Sequence, residues 1–295
     1  MPKTENSQWY VEQVADGELH SHALSNTLAQ GRSKYQSYAI VESPLFGKML
    51  VLDGDTQSAA LDECIYHESL VHPACATAGA PRSALILGGG EGATLRELLR
   101  VPSMQRVVMV DIDGEVVDAC RRLMPEWSAG AFEDRRTELI VGDAKAYVER
   151  STEKFDVVLS DLTEPLEDSP SYGLHTAGFY RATRALVAPG GAYAIQTSTA
   201  GPHNFGVHAR MIATLRTAWP AVAPYTAYVP AFDTEWGFAL CADALDVFSD
   251  SASAKADALA NVCKLRHYDG QTHRGAFNVP RYLRDAYAAE PRVFE

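Results

Sequence analysis

Apolar and polar positions follow two different patterns along the chain, and the change falls near residue 62. In the first part, short runs alternate between apolar and polar side chains and are separated by turn residues, which is typical of antiparallel strands. The runs predict strands over 9–14, 21–30, 36–42 and 48–52, with turns at Gly31, Ser43-Pro44 and Asp53-Gly54. We therefore expect a small antiparallel β domain over residues 1–61.

A helical pattern follows over 62–76 and joins this domain to the rest of the chain. Pro73 lies inside it, and because proline lacks an N–H and clashes with the preceding turn, we expect the helix to end or bend there.

After Pro81 the apolar strands lose their polar alternation and are separated by amphipathic helices, which indicates a buried parallel sheet with right-handed crossovers. The pattern predicts strands over 84–87, 106–110, 138–141, 155–159 and 192–196, and helices over 93–100, 114–124, 144–150, 175–187 and 208–218. Pro189-Gly190-Gly191 is expected to stop the fourth of these helices. Runs 223–229 and 236–241 predict an antiparallel pair at the sheet edge. The predicted fold of residues 62–295 is a doubly wound, Rossmann-like α/β domain.

Composition narrows the possible partners. The 295 residues contain 38 Asp and Glu against 26 Lys and Arg, a formal net charge of −12. This charge argues against nucleic acid or an anionic membrane as the main partner and favours cations, although it can also serve solubility alone. Five cysteines without metal-ligand spacing, no signal sequence and no long apolar run predict a cytoplasmic protein with reduced thiols.

Four acidic residues stand at the predicted carboxyl ends of successive strands: Glu91, Asp111, Asp143 and Asp161. These strand ends meet along one edge of a parallel sheet, where open α/β folds bind ligands. The series predicts a pocket for a cationic ligand.

The first of these strand ends carries a glycine loop, Gly88 to Gly92, and Asp111 follows about 20 residues later, where it can accept both hydroxyls of a ribose. Glu91 would repel a pyrophosphate at the helix N-terminus, so a sulfonium nucleoside fits better than a dinucleotide. Asp143 could accept from the adenine amino group, or it could simply cap the next helix.

The fourth strand end, Ser160 to Pro165, places the carboxylates of Asp161 and Glu164 three residues apart in a turn. Such a pair can hold an ammonium group while one member removes its proton. That step is needed because a free alkylamine has a pKa of about 10 and is protonated at neutral pH. The alternative is a solvated acidic loop that continues through 167–170.

Further polar and aromatic residues could face the pocket from its other side. On the joining helix and in the β domain these are Tyr66, His67, Glu68, Gln36 and Gln57. Near the predicted edge strands, Tyr228, Phe232 and Trp236 suit alkylammonium recognition through cation–π contact. His67 could equally be a satisfied structural histidine, and the aromatic group could be core and rim.

Several motifs in series resemble the polyamine aminopropyltransferases of the spermidine synthase family. They are Leu50 to Gly54 with Gln57, Asp62 to Glu68, Gly88 to Gly92, Val110 to Asp113, Gly142 to Ala144, Asp161 to Pro165, and Arg266 to Tyr268. The resemblance covers about residues 35 to 285. It implies a methyltransferase-like sheet, transfer of the 3-aminopropyl group of decarboxylated S-adenosylmethionine to an amine, and release of 5′-methylthioadenosine. It also implies no metal or other cofactor, and a homodimer or homotetramer.

Carried over by position, the resemblance assigns roles. The donor site would comprise Asp111 at the ribose, Asp143 at the adenine, Glu91 with Gln36 at the methionine-derived part, and Gly88, Gly90, Ile112 and Ala144 around them. Asp161 would be the general base. The acceptor site would comprise Gln57, Tyr66, His67, Glu164, Tyr228, Phe232 and Trp236.

The acceptor is the least determined part. The turn Asp161-Leu162-Thr163-Glu164-Pro165 departs from the Asp-Ser-Ser-Asp-Pro pattern common in spermidine synthases, and His67 replaces the frequent Gln. The chain is most similar to thermospermine synthases and to bacterial triamine/agmatine aminopropyltransferases, so spermidine is the first choice, giving thermospermine or spermine. Putrescine and agmatine stay open as acceptors, as do an S-adenosylmethionine-dependent amine N-methyltransferase and a catalytically silent sensor.

Overall fold

The computed structural model of the protein describes residues 8–165 and 171–295, whose strands form three sheets. The loop expected over 167–170 lies outside the described residues. No helix within the described ranges is both long and apolar enough to cross a bilayer.

The N-terminal part contains a hairpin and a four-stranded antiparallel sheet. Strands β1 (Gln8–Ala15) and β2 (Glu18–Leu24) form the hairpin, and β3 (Asn26–Arg32), β4 (Ser37–Ser43), β5 (Gly47–Leu52) and β6 (Asp55–Ala59) form the sheet in that order. The single strand expected over 21–30 is wrong, because the chain passes from one sheet to the other at Ser25. Strand β6, with its polar side chains, was not predicted.

Gly31 also differs from expectation, since it lies within β3 and the turn comes later, where Ser33 N donates to the Gln36 carbonyl at 2.9 Å. A Cβ atom at Gly31 would stand 2.8 Å from the ring of Tyr38 on the paired strand. This glycine therefore permits a close cross-strand contact and does not mark a turn.

Helix α1 (Glu63–Ala78) passes through Pro73 without ending there, which corrects the expected boundary. The missing N–H of Pro73 leaves the carbonyl oxygen of Ser69 without its helical donor. The hydroxyl of Tyr225 donates to that oxygen at 2.8 Å. The helix therefore tolerates the proline because a side chain from the large sheet replaces the lost hydrogen bond.

The large sheet has the strand order β12-β13-β11-β10-β7-β8-β9. Its strands are β7 (Ser83–Gly88), β8 (Arg106–Asp111), β9 (Thr137–Val141), β10 (Phe155–Asp161), β11 (Val187–Thr199), β12 (Ala221–Val229) and β13 (Thr234–Ala242). Strands β7 to β11 pair in parallel, whereas β12 and β13 pair antiparallel at one edge. The doubly wound sheet with an antiparallel edge is thus confirmed, and its strand order reverses between β7 and β10.

Nine further helices complete the described chain: α2 (Ala93–Arg100), α3 (Gly114–Leu123), α4 (Pro125–Ser128), α5 (Ala144–Arg150), α6 (Ala177–Arg184), α7 (Gly206–Arg216), α8 (Asp250–Cys263), α9 (Gly270–Phe277) and α10 (Arg281–Ala289). The helix expected over 175–187 is shorter, and Pro189 to Gly191 lie inside β11 instead of before it. The strand begins early because Val187 already pairs with Phe155, and it shifts register before Ala192.

The hydrogen bond from Tyr225 to the Ser69 carbonyl gives a stability prediction. Tyr225→Phe leaves a buried carbonyl without a donor, and we expect the free energy of unfolding to fall by about 1–3 kcal/mol. Tyr228→Phe removes an exposed hydroxyl from the same strand and should change it by no more than about 0.5 kcal/mol. Urea unfolding at one protein concentration measures both, and equal midpoints for the two variants would contradict the role given to Tyr225.

Candidate active site

The glycine loop and the end of β10 meet at the point where the strand order reverses. Gly88 pairs in register with Asp161, and Gly89 N donates to the Asp161 carbonyl at 3.0 Å. Gly88 has a φ of +84°, and a Cβ atom there would lie 2.2 Å from the Asp161 carbonyl oxygen. Only glycine fits this position, which fixes the loop against the strand end.

The carboxylate of Asp161 is held by two hydroxyl groups. Tyr66 donates to Oδ1 at 2.8 Å, and Thr94, in the first turn of α2, donates to Oδ2 at 2.6 Å. Burial raises the pKa of Asp161 above its ordinary value, and the negative charge of Glu91 adds to the rise. The two hydroxyls favour the ionised form and oppose that rise.

Asp111, at the end of β8, lies beside the glycine loop. Its Oδ1 accepts from Asp113 N at 2.8 Å, and a Cβ atom at Gly90 would lie 3.0 Å from its Oδ2. Burial raises the pKa of Asp111 to about 6, with further contributions from the charges of Asp113, Glu91 and Asp161. Three carboxylates therefore share a poorly solvated space, where a bound cation would favour their ionised forms.

His67 lies on the Glu91 side of this space. Its Nε2 lies 2.7 Å from Glu91 Oε1, and its Nδ1 lies 2.7 Å from the backbone carbonyl oxygen of Glu63. The side chain is fully buried. Both ring nitrogens are thus used within the protein, and His67 contacts Glu91, the carboxylate that the sequence predicted at the donor.

Glu164 and strand β6 form a second acidic region. Burial raises the pKa of Glu164, and a hydrogen bond with Ser198 opposes this effect. The pKa of Asp55 is also raised, to about 6, mainly by burial and further by the negative charges of Glu12 and Glu164. Gln57 lies two residues after Asp55, where the pairing of β6 with β5 shifts register, and its Nε2 donates to the Asp55 carbonyl at 3.2 Å.

The aromatic residues expected at the acceptor separate into two groups. Phe232 is buried, with its ring centroid 6.2 Å from Tyr66 and 4.8 Å from Trp236. Tyr228 is exposed, and its hydroxyl donates to Asp233 at 2.5 Å. Phe232 and Trp236 therefore continue the wall that begins at Tyr66, and Tyr228 does not.

Several other predicted residues have local partners. Gln36 Nε2 donates to Asp113 Oδ2 at 2.9 Å and does not bond Glu91. Asp143 is exposed and caps α5 by accepting from Lys145 N at 2.8 Å, as its alternative interpretation predicted. Ala144 is buried in the first turn of α5.

Glu68 and Ile112 lie in different surroundings. Glu68 was expected to face the pocket, but it is fully buried and accepts from the backbone N–H groups of Arg266, His267 and Tyr268, which corrects that expectation. Ile112 lines a cavity of about 430 Å³ at the ends of β8 and β9. That cavity adjoins Asp113, next to the glycine loop.

Sequence reasoning missed three residues that shape the site: Thr94, Glu63 and Arg96. Thr94 directly follows the glycine loop in the first helical turn, and this position was the available signal. Arg96 Nη2 pairs with Glu63 Oε2 at 2.6 Å, a contact between two helices that no sequence pattern indicated.

Within the described residues, one group has the donor atoms for a metal ion: His67, Glu91 and Asp161, whose ligand atoms lie within 4.8 Å of one another. His67 Nε2 already bonds Glu91, however, and both oxygens of Asp161 accept from hydroxyls. The arrangement suits the positive charge of an organic substrate better, and the expectation of no metal stays a prediction.

A glycine loop, a carboxylate beside it and an acidic turn meet at the switch point, as expected of nucleoside-dependent group-transfer enzymes. Residues 63–251 match the spermine/spermidine synthase domain, and residues 8–59 match the spermidine synthase tetramerisation domain. The chain belongs to the spermine/spermidine synthase family.

Relatives extend this result over nearly the whole chain. A polyamine aminopropyltransferase of Sulfolobus acidocaldarius is 40% identical over 287 residues, covering 97% of this chain and 95% of the relative. One from a Synechococcus species is 41% identical over 301 residues, with the same coverage. The expectation of an aminopropyltransferase is therefore confirmed at the level of enzyme class.

Solved structures agree with the fold. A spermidine synthase in complex with the transition state analogue AdoDATO superimposes with a TM-score of 0.90 at 25% identity, over 98% of this chain and 97% of that one. Spermidine synthase from Thermotoga maritima gives a TM-score of 0.88 at 25% identity with the same coverage.

The bond from Thr94 to Asp161 gives a pH-dependent prediction. Thr94→Val removes a hydroxyl that favours the ionised carboxylate, so the pKa of Asp161 should rise further. The acidic limb of kcat/KM should then move to higher pH, with about a ten-fold loss at pH 7. Thr94→Ser keeps the hydroxyl and should retain the wild-type profile; a valine variant with an unmoved limb would remove Thr94 from this role.

Proposed function

We propose that the pocket transfers the aminopropyl group of decarboxylated S-adenosylmethionine to a terminal amine of spermidine, giving thermospermine or spermine and releasing 5′-methylthioadenosine. The observation that carries this proposal is the position of Asp161. Its carboxylate is buried at the strand switch point, held at both oxygens and close to Glu91 and Asp111. A carboxylate so placed can take a proton from an amine that attacks a neighbouring nucleoside.

The donor lies across the glycine loop. Asp111 accepts the ribose hydroxyls, and the close approach of Gly90 leaves room for the nucleoside beside it. Glu91 pairs with the ammonium group of the aminopropyl arm, as charge complementarity favours. Ile112 and Ala144 border the nucleobase. Asp143 has one oxygen engaged as a helix cap, and its other oxygen serves the adenine amino group.

The reaction needs alignment more than activation. The methylene carbon of the aminopropyl arm next to the sulfonium sulfur is already electrophilic. The enzyme therefore chiefly holds the amine in line with the bond between that carbon and sulfur. The amine loses a proton to Asp161, a carbon–nitrogen bond forms, and the carbon–sulfur bond breaks with its electron pair going to sulfur. The proton then leaves Asp161 for solvent.

The acceptor lies along Tyr66, Phe232 and Trp236. Aromatic faces pack against its methylene groups and attract its ammonium groups, and Glu164 pairs with one of those groups. Asp55 on β6 interacts electrostatically with Glu164, and Gln57 follows it on the same strand. This length of acidic and aromatic surface supports a triamine as acceptor over putrescine.

Assembly and location complete the proposal. The chain forms a homotetramer through the β1–β2 hairpin, which exposes Trp9, Val11 and Leu19 at 55%, 52% and 65%. The cross-strand pairs Trp9–Ala23, Val11–Ser21 and Gln13–Leu19 put these three side chains on one face. The match of residues 8–59 to a tetramerisation domain supports this assembly. The five cysteines are all unpaired and buried, which fits the cytoplasm.

The acceptor is tested directly by product analysis. Purified protein is incubated with decarboxylated S-adenosylmethionine or, in parallel, with intact S-adenosylmethionine. Each reaction contains one amine, which is spermidine, putrescine, agmatine or spermine, and products are identified by mass and chromatography. We expect kcat/KM to be highest for spermidine. A higher kcat/KM for putrescine or agmatine would reject spermidine as the acceptor. Methyl transfer from intact S-adenosylmethionine would reject aminopropyl transfer as the reaction.

Two substitutions separate the chemical step from donor binding. Asp161→Asn removes the base and should lower kcat by about 10²–10⁴-fold while donor affinity stays near wild type. Asp111→Asn removes a charged acceptor from the ribose and should weaken donor affinity about ten-fold or more. Calorimetry with the donor and steady-state kinetics measure both, and the opposite pattern would exchange the two roles.

A further inference from the structure

Acidic and basic side chains alternate from the pocket into the protein between α1 and α2. They are Glu91, His67, Glu63, Arg96, Glu97 and His72. The separations between successive partner atoms are 2.7, 3.3, 2.6, 2.9 and 2.9 Å. None of these side chains is more than 14% exposed, so solvent screens the pairs weakly.

The charge of His67 follows from its partners. Nδ1 lies 2.7 Å from the Glu63 backbone oxygen, which can only accept a hydrogen bond, so Nδ1 carries a proton. Nε2 lies 2.7 Å from a carboxylate oxygen of Glu91, and an ionised carboxylate also only accepts. Both nitrogens then donate, which makes the ring an imidazolium.

The groups around His67 support this charge. Burial alone would lower the pKa of His67, but its hydrogen bonds and charge interactions with Glu63 and Glu91 outweigh burial and raise it to about 10. The charge of His67 also lowers the pKa of Asp62, the N-cap of the same helix, and of Asp161 across the pocket, in both cases against the effect of burial. Arg96 reaches His67 only through the shared Oε2 of Glu63.

Arg96 holds the Glu63 side chain that contacts His67. Its Nη1 donates to the Trp127 carbonyl at 2.8 Å, and its Nε donates to Glu97 at 2.9 Å. Because the guanidinium is held from several directions, the Glu63 carboxylate that it binds has little freedom. The position of Glu63 is thereby set by two helices.

We propose that His67 is a permanent cation of the active site, held by Glu63 and Arg96, which fixes one oxygen of Glu91 and keeps Asp161 ionised. Glu63 and Arg96 are then positioning residues for the transfer, although neither touches substrate. The catalytic part of this inference rests on the proposed function, whereas the charge of His67 does not. The fixed cation has a physical reason: burial and the charge of Glu91 raise the pKa of Asp161, and the positive charge of His67 opposes that rise.

The first experiment removes the cation. His67→Gln keeps a side chain that can donate to Glu91 but carries no charge, so the pKa of Asp161 should rise. The acidic limb of kcat/KM should move about one pH unit or more to higher pH. His273→Gln removes another buried histidine, whose hydrogen-bond partners lie outside this network, and is the matched control. It should lower the melting temperature and leave the limb where it is.

The second experiment weakens the support of the cation. Glu63→Gln removes a negative charge and keeps the backbone carbonyl, so the pKa of His67 should fall. The positive charge of a histidine is present below its pKa and is lost above it. The alkaline limb of kcat/KM should therefore lie at lower pH in this variant than in wild type. A merely structural role for Glu63 would change stability without moving this limb.

The third measurement reads the charge without turnover. In ¹⁵N-histidine-labelled protein, the resonances missing from His67→Gln should show both ring nitrogens protonated from pH 6 to 9. A single protonated nitrogen in that range would overturn the proposal, as would an unmoved acidic limb in a folded His67→Gln variant. If wild type transferred no aminopropyl group, the proposed function would fail while the spectrum still decided the charge of His67.

Discussion

The contact between Gly88 and the backbone of Asp161 is the constraint on which the pocket depends. It joins the first parallel strand to the neighbouring strand at the point where the sheet order reverses. A side chain at Gly88 would collide with the Asp161 carbonyl, so the glycine loop and the acidic turn can approach only with this residue in place. From this junction, α2 carries Thr94 to one oxygen of Asp161, and α1 carries Tyr66 to the other.

The second determinant is the balance of charge in a poorly solvated space. Burial raises the pKa of both Asp161 and Asp111, yet the proposed chemistry needs ionised carboxylates. Hydroxyl donors, the His67 side chain and the positive charges of the substrates all act in the opposite direction. A bound cation would therefore lower the proton affinity of these carboxylates and favour the ionised form that the proposed base needs.

Much of this arrangement followed from the sequence, and the exceptions have physical causes. Strand ends were predictable because apolar runs stop where Asp111 and Asp161 begin, and the glycine loop marked its own turn. The continuation of α1 through Pro73 was not predictable, because the compensating hydroxyl of Tyr225 lies more than 150 residues away. The same holds for Gly31, whose role depends on Tyr38 in the paired strand. The pairing of Glu63 with Arg96 could not be predicted from the sequence either, because it depends on how α1 and α2 pack.

Charge also bears on which nucleoside the pocket accepts. Intact S-adenosylmethionine carries a carboxylate on the arm that would lie near Glu91, and the Glu91 Oε1 atom is already paired with the internal cation His67. Over residues 8–165 and 171–295, no second cation pairs with Glu91, and the nearby Arg96 is engaged by Glu63 and Glu97. A carboxylate entering there would face Glu91 and Asp161 in a space of low effective dielectric, where like charges are costly. The decarboxylated donor presents an ammonium group alone, so we expect this arrangement of charges to favour it over intact S-adenosylmethionine.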